Sequence, residues 1–194
     1  VPCGMQDQLA AAFEGANVWH WKDKYGPVLY ERQPVPVPAG LDRQVLVAYC
    51  GVPHSSADIN GRWVGQFLAG THRRHWNEIV DAVKAFIQAF EEGNFAEAAC
   101  WMNRETDIRR ELTPDVLDPV GSALFEAAKE CGCGARFTGA GGGGCLWAIG
   151  PSGAVDRLRP GWEKILSTVP DGRVLNVEVD PNGLLVFTTS SNLN

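Results

Sequence analysis

The chain has 194 residues, of which 45% are hydrophobic and 21% charged, an ordinary globular composition with enough residues for a sizeable core. Its formal net charge is −6 and no basic patch stands out, so nucleic acid is not expected as a partner. No apolar run approaches the length that spans a bilayer and no signal peptide is visible, so a membrane partner is not expected either.

The first fifty residues predict a short helix followed by strands. Residues 8–14 are alanine-rich and predict a helix, and residues 18–21 and 28–30 predict two strands around a turn. The proline-rich stretch 34–38 cannot donate a full ladder of hydrogen bonds, so it is expected at a sheet edge or in an extended connector. Residues 45–49, Val-Leu-Val-Ala-Tyr, are typical of a central strand.

Helices dominate the middle of the chain. The spacing of apolar residues and the glycine and proline stops predict helices at about 56–69, 72–93, 95–112, 119–130 and 155–167. Two final strands are expected at 174–179 and 184–188. These elements predict an α+β fold, in which several helices pack on a mostly antiparallel sheet, and no linker divides residues 1–194.

The six cysteines are scattered and include no C-x-x-C pair, so no zinc site is predicted. Reduced thiols are the preferred interpretation, which favours a cytoplasmic protein.

A glycine-rich run is the most informative motif of the chain. Five of the seven residues 139–145 are glycine, and the run lies between two apolar stretches that predict strands. Such a cluster brings unhindered N–H groups together, which suits binding of an anion such as phosphate. It lacks the Gly-Lys-Ser/Thr ending of a P-loop, and it leads into a strand rather than into the helix that a dinucleotide site requires. A plain hairpin with glycines in a tight turn is the structural alternative.

A second motif, Gly4-Met5-Gln6-Asp7-Gln8, stands at the start of the first predicted helix. A carboxylate there is stabilised by the unpaired N–H groups of the first turn. Asp7 is therefore either a functional carboxylate or simply a first-turn residue that stabilises the helix.

Together these motifs resemble the GHMP kinase superfamily. The octapeptide 138–145, Thr-Gly-Ala-Gly-Gly-Gly-Gly-Cys, is similar to the third conserved motif of that family, and residues 4–13 are similar to its catalytic-aspartate segment. The Gln-Asp-Gln spelling is closest to the branch of heptose-phosphate kinases and galactokinases. Residues 51–56 and 110–114 also fit that branch, so the resemblance covers essentially the whole chain.

The resemblance implies an ATP-dependent sugar or sugar-phosphate kinase, with a heptose phosphate as the first substrate expected and galactose or another hexose next. Asp7 would accept the proton of the sugar hydroxyl or orient that hydroxyl toward the γ-phosphate. The resemblance also implies a phosphate-binding loop and a set of substrate-binding residues. The implied loop residues are Gly139, Ala140, Gly141, Gly142 and Gly143, and the implied substrate-binding residues are Gln6, Thr138, Arg136 and His54.

One departure from the family pattern is large. The serine-rich ATP loop and the N-terminal substrate motif are absent, so residues 1–194 are interpreted as the C-terminal portion of such a kinase. The upstream half would supply the nucleotide cradle and most ligands of the Mg²⁺ that accompanies ATP, and the isolated chain is expected to be inactive. Loss of half of a shared core would expose apolar surface and so favour a homodimer or low solubility. Two functional alternatives stay open: a non-catalytic small-molecule-binding domain, and a kinase or decarboxylase of the mevalonate pathway.

Overall fold

The computed structural model describes residues 5–22, 30–51, 56–180 and 183–184, and for residues 56–58 it describes the backbone only. These residues divide into two compact units, one from the described parts of 1–37 and 178–194 and the other from 38–177. The first boundary falls inside the proline-rich stretch 34–38, where the sequence showed no linker.

The described residues of the smaller unit form one helix and a two-stranded antiparallel sheet. Helix α1 covers Met5–Ala12, strand β1 covers Ala16–Trp21 and strand β2 covers Tyr30–Val35. Pro34 lies opposite Asn17 near the end of β2, which confirms the expected edge position because neither strand has a second neighbour among the described residues. Trp19 packs with ring-centroid distances of 5.4 Å from Phe13 and 5.3 Å from Tyr30.

The larger unit is built on a four-stranded antiparallel sheet in the order β4-β5-β3-β6. Its strands are β3 (Val45–Tyr49), β4 (Gly134–Phe137), β5 (Cys145–Ile149) and β6 (Arg173–Leu175). Its helices are α2 (Ser56–Leu68), α3 (Arg73–Glu91), α4 (Phe95–Leu112), α5 (Pro119–Cys131) and α6 (Ser152–Leu166), with short 3-10 helices at Leu41–Arg43 and Pro114–Val116.

The sheet lies between two layers of helix. Phe137 and Leu146 belong to a buried core with Trp162 and the other apolar residues of α5 and α6. Ile149 belongs to a second cluster with Phe95 and other apolar residues of α3 and α4. Alternate strand residues point to opposite faces, so the apolar strands of this sheet supply both cores. The α+β prediction is confirmed.

Helix α4 covers the edge of the sheet at β4. Asn103 accepts a hydrogen bond from the Ala135 N–H at 3.1 Å and donates to the Cys133 carbonyl at 3.0 Å, and the Thr106 hydroxyl donates to the Ala135 carbonyl at 3.0 Å. These bonds satisfy backbone groups that an edge strand would otherwise leave unpaired. A Cβ at Gly134 would overlap the Ala99 backbone, so this close approach requires glycine.

The predicted helices agree with the observed bounds to within three residues, and β3 is a central strand as expected. The strand predicted at 174–179 is wrong in length, because β6 ends at Leu175 and residues 176–180 have no regular structure. Of the strand predicted at 184–188, only Leu184 lies among the described residues, and it is not in a strand.

Within the described part of the chain, no helix is both long and apolar enough to cross a membrane.

Candidate functional site: a glycine-rich loop and its supports

The glycine-rich loop, residues 138–144, joins two neighbouring antiparallel strands, β4 and β5. The connection is a hairpin, although it is much longer than a two-residue tight turn. Thr138 joins the two ends of the loop, because its N–H and its hydroxyl both donate hydrogen bonds to the Cys145 carbonyl, at 2.9 and 3.1 Å. On the other side, Cys50 at the end of β3 donates its N–H to the Gly144 carbonyl at 2.8 Å.

The loop conformation explains its composition. All five glycines have φ between +66° and +121°, the left-handed region that other residues adopt at a cost: Gly139, Gly141, Gly142, Gly143 and Gly144. Ala140, which interrupts the run of glycines, is buried. Turns of this kind direct backbone N–H groups into a concave arrangement that suits an anion.

Two neighbouring elements hold the loop from outside the hairpin. The Gly142 N–H donates to the Val116 carbonyl of the 3-10 helix at 2.8 Å. A Cβ at Gly141 would overlap that same carbonyl oxygen, and a Cβ at Gly142 would lie 2.8 Å from Cδ1 of Ile59 in the first turns of α2. The loop is therefore packed against the 3-10 helix Pro114–Val116 and against α2.

Helix α2 is in turn attached to the 3-10 helix. Trp63 donates its indole N–H to the Thr113 hydroxyl at 2.8 Å. Arg62 makes a two-point ion pair with Asp115, with N–O distances of 2.8 and 2.7 Å. Both Arg62 and Asp115 are exposed, so the pair orients α2 more than it stabilises the fold.

A buried acid lies between two arginines beside β4. Glu105 of α4 is 3% exposed, and its two oxygens lie 2.8 Å from Nε of Arg109 and 2.8 Å from Nε of Arg136. Burial by itself would raise the pKa of Glu105, but the two guanidinium groups outweigh it and hold the pKa below its usual value of 4.5. Burial lowers the pKa of Arg109, and the Glu105 charge opposes that shift.

The structure divides the predicted site residues between the two units. Gln6 and Asp7 are exposed in the first turn of α1, in the smaller unit. Thr138, Arg136 and the loop belong to the larger unit, and His54 lies outside the described residues. The guanidinium of Arg136 is engaged by Glu105 while its side chain stays 31% exposed.

Sequence reasoning missed the supports of the loop. The spacing of Glu105 and Arg109, four residues apart on a predicted helix, is a visible ion-pair signal. Nothing local indicates that Arg136, Trp63 or Val116 would join them, because these residues come from other elements. No group of three or more His, Cys, Asp or Glu side chains that could hold a metal ion occurs in the part of the chain that the structure describes.

Comparisons with known proteins agree with this fold. Residues 86–167 match the family model described as GHMP kinases C terminal. No curated protein matches the chain.

Solved structures of kinases share the fold. Galactokinase from Lactococcus lactis, complexed with galactose, matches with a TM-score of 0.62 and 18% identity over 94% of this chain and 55% of its own. Mevalonate kinase from L. major, in complex with R-mevalonate, matches with a TM-score of 0.64 and 18% identity over 87% of this chain and 50% of its own. Phosphomevalonate kinase from Streptococcus pneumoniae matches with a TM-score of 0.56 and 19% identity over 68% of this chain and 38% of its own. The chain thus spans about half or less of each of these proteins.

Proposed function

We propose that this chain is the C-terminal portion of an ATP-dependent kinase that phosphorylates a hydroxyl of a sugar or sugar phosphate. The observation that carries the proposal is the glycine-rich loop, with five left-handed glycines held against two further elements, within the region that matches the GHMP kinases C terminal family model. Backbone N–H groups of such a loop are suited to stabilising the charge that develops on a transferred phosphoryl group.

The hydrogen bonding of the loop supports different roles for its glycines. Gly142 donates its N–H to Val116, so its role is to anchor the loop. We propose that the backbone N–H groups of four other loop residues contact the phosphate: Gly139, Ala140, Gly141 and Gly143. A loop that is already anchored loses little conformational freedom on binding, which favours affinity.

Asp7 is the proposed catalytic carboxylate. Its position in the first turn of a helix gives a carboxylate a fixed direction, and in this chemistry it would accept or orient the proton of the attacking hydroxyl. Gln6, Thr138, Arg136 and His54 are the proposed substrate contacts. Mg²⁺ would accompany ATP, and the family resemblance implies that most of its ligands lie in the upstream segment.

The proposed acceptor is a heptose phosphate first and galactose or another hexose second, on the Gln-Asp-Gln spelling around Asp7. Acceptors of the mevalonate pathway are the second candidate, because mevalonate kinase and phosphomevalonate kinase structures share the fold about as closely as galactokinase does. Fold similarity alone does not choose between these acceptors.

The test is ADP release by this chain joined to its upstream segment, with ATP and Mg²⁺ and a panel of acceptors. The panel contains heptose 7-phosphate, galactose, fucose, mannose, mevalonate and phosphomevalonate. Turnover on a sugar supports the proposal. Turnover on mevalonate or phosphomevalonate would refute the sugar acceptor and support a kinase of the mevalonate pathway instead. Sugar binding without ADP release on any acceptor would point to a non-catalytic binding domain and refute the kinase proposal.

The role of Asp7 has its own test in the same protein. Asp7→Asn should lower kcat by about 100-fold or more, since a positioned acid or base contributes roughly 10²–10⁴-fold, while ATP affinity stays unchanged. Asp81→Asn is the matched control, because Asp81 is an exposed aspartate on α3 and should leave kcat as it is. Near-normal turnover by the Asp7→Asn protein would remove Asp7 from the mechanism.

A further inference from the structure

Glu105 is the only charged residue that is buried among the residues the structure describes. Burying a carboxylate is unfavourable unless it is paired and hydrogen-bonded, and a buried ion pair is often no more stabilising than apolar residues of the same volume. A gain in stability alone therefore does not account for the presence of Glu105. Each of its two partners, Arg136 and Arg109, is connected to the glycine-rich loop by further contacts.

The first connection runs through β4. Arg136 bonds Glu105 with Nε at 2.8 Å and with Nη2 at 3.4 Å, and its guanidinium lies 4.9 Å from the centre of the Phe137 ring. The next residue, Thr138, begins the loop. Thr106, next to Glu105 on α4, donates to the Ala135 carbonyl at 3.0 Å. Glu105 thus fixes the strand at the point where the loop leaves it.

The second connection runs through α2 and the 3-10 helix. Arg109 lies 4.4 Å from the centre of the Trp63 ring, a cation–π contact that holds the indole in place. Trp63 donates to the hydroxyl of buried Thr113, and the Thr113 carbonyl accepts the Val116 N–H at 2.9 Å. The Val116 carbonyl then accepts the Gly142 N–H at 2.8 Å. Glu105 therefore also fixes, through Arg109, the element on which the loop rests.

We propose that Glu105 is a positioning residue for the glycine-rich loop, acting through Arg136 on the strand that enters the loop and through Arg109 and Trp63 on the 3-10 helix that anchors it. The effect on turnover rests on the proposed kinase function. The effect on the loop itself does not, and the two are measured separately.

The first readout is amide hydrogen exchange of the loop, followed by mass spectrometry on the protein with its upstream segment. The Gly142 N–H is protected by Val116, so a peptide spanning 138–145 reports directly on the anchor. Glu105→Gln should speed exchange in that peptide while a peptide from α6, residues 152–166, is unchanged. Glu126→Gln is the matched control, because Glu126 pairs with Arg110 at 2.9 Å on the surface and should change neither peptide.

The second variant guards against a Glu105→Gln protein that does not fold. Trp63→Phe keeps an aromatic ring beside Arg109 but removes the hydrogen bond to Thr113 and part of the indole, so it should speed exchange of the same peptide to a smaller degree. The second readout is kinetic. Misplacing a catalytic element by a fraction of an ångström should lower kcat by about tenfold with little change in KM for ATP.

Unchanged loop exchange in both Glu105→Gln and Trp63→Phe would overturn the positioning role, and so would equal acceleration in the 138–145 and 152–166 peptides. Faster loop exchange with unaltered kcat in an active enzyme would also overturn it. If the unaltered protein turns over no acceptor, the proposed function fails while the exchange comparison still decides whether Glu105 positions the loop.

Discussion

Three alanine substitutions in the glycine-rich loop separate the cost of backbone conformation from the cost of space. Gly139, Gly142 and Gly141 all have a left-handed φ, of +66°, +76° and +82°. An added Cβ meets nothing within 4 Å at Gly139, the end of the flexible Ile59 side chain at Gly142, and the rigid Val116 carbonyl at Gly141. The stability loss should therefore rise in the order Gly139→Ala, Gly142→Ala, Gly141→Ala.

The structure allows each step to be assigned a magnitude. A left-handed conformation costs a residue with a Cβ about 1–2 kcal/mol, which is the whole expected loss at Gly139. At Gly142 the Ile59 side chain can adopt another rotamer to make room for the added Cβ. This adjustment adds roughly 0.5–1.5 kcal/mol to the loss of stability. At Gly141 overpacking against backbone adds about 1–3 kcal/mol, for a total of roughly 2–5 kcal/mol.

The assay is urea unfolding followed by tryptophan fluorescence. Trp162 is fully buried in the same unit as the loop and reports on its unfolding. With slopes of about 1–3 kcal/mol per molar urea, a difference of roughly 2 kcal/mol between Gly139→Ala and Gly141→Ala moves the midpoint by about 1 M. Equal midpoints for these two variants would refute the argument, because they would show that the loop moves away from Val116 without cost.

Two further predictions concern the packing and charge of α4 and α6. Gly134→Ala should destabilise the protein by about 1–3 kcal/mol in the same assay, because its Cβ would overlap the Ala99 backbone. Gly161→Ala, at an exposed position of α6 where a Cβ meets nothing within 4 Å, should instead stabilise it by about 0.5–1 kcal/mol. Unchanged stability of the Gly134→Ala protein would contradict the close approach of α4 to β4. Because the pKa of Glu105 is held below its unfolded value of 4.5, its contribution to stability is complete above that pH and is lost as the pH falls through the folded pKa. The unfolding free energies of the unaltered protein and Glu105→Gln should therefore differ most near neutral pH and converge in acid. Parallel curves for the two proteins would refute the ion-pair assignment.

Much of the secondary structure could be predicted because its signals are local. Helix α4 occupies the predicted range 95–112, since Asn94 caps its first turn and Thr113-Pro114 ends it. The strand–loop–strand arrangement around the glycine-rich loop follows from two apolar runs and the glycines between them. Strand β6 was predicted too long, because apolar character continues to residue 179 while pairing with β3 ends at Leu175. Pairing depends on a partner strand distant in sequence, which local patterns do not reveal.

The sequence by itself determined the helices, the apolar strands and the positions where only glycine serves, because these depend on residues near one another along the chain. It also carried the resemblance from which the kinase hypothesis came. Tertiary structure alone decided that Glu105 pairs with Arg136, 31 residues away, that Gly142 rests on Val116, and that the chain divides near Val37. Such contacts depend on how the helices and strands pack together, and a buried charge is stable only in the one packing that supplies its partners.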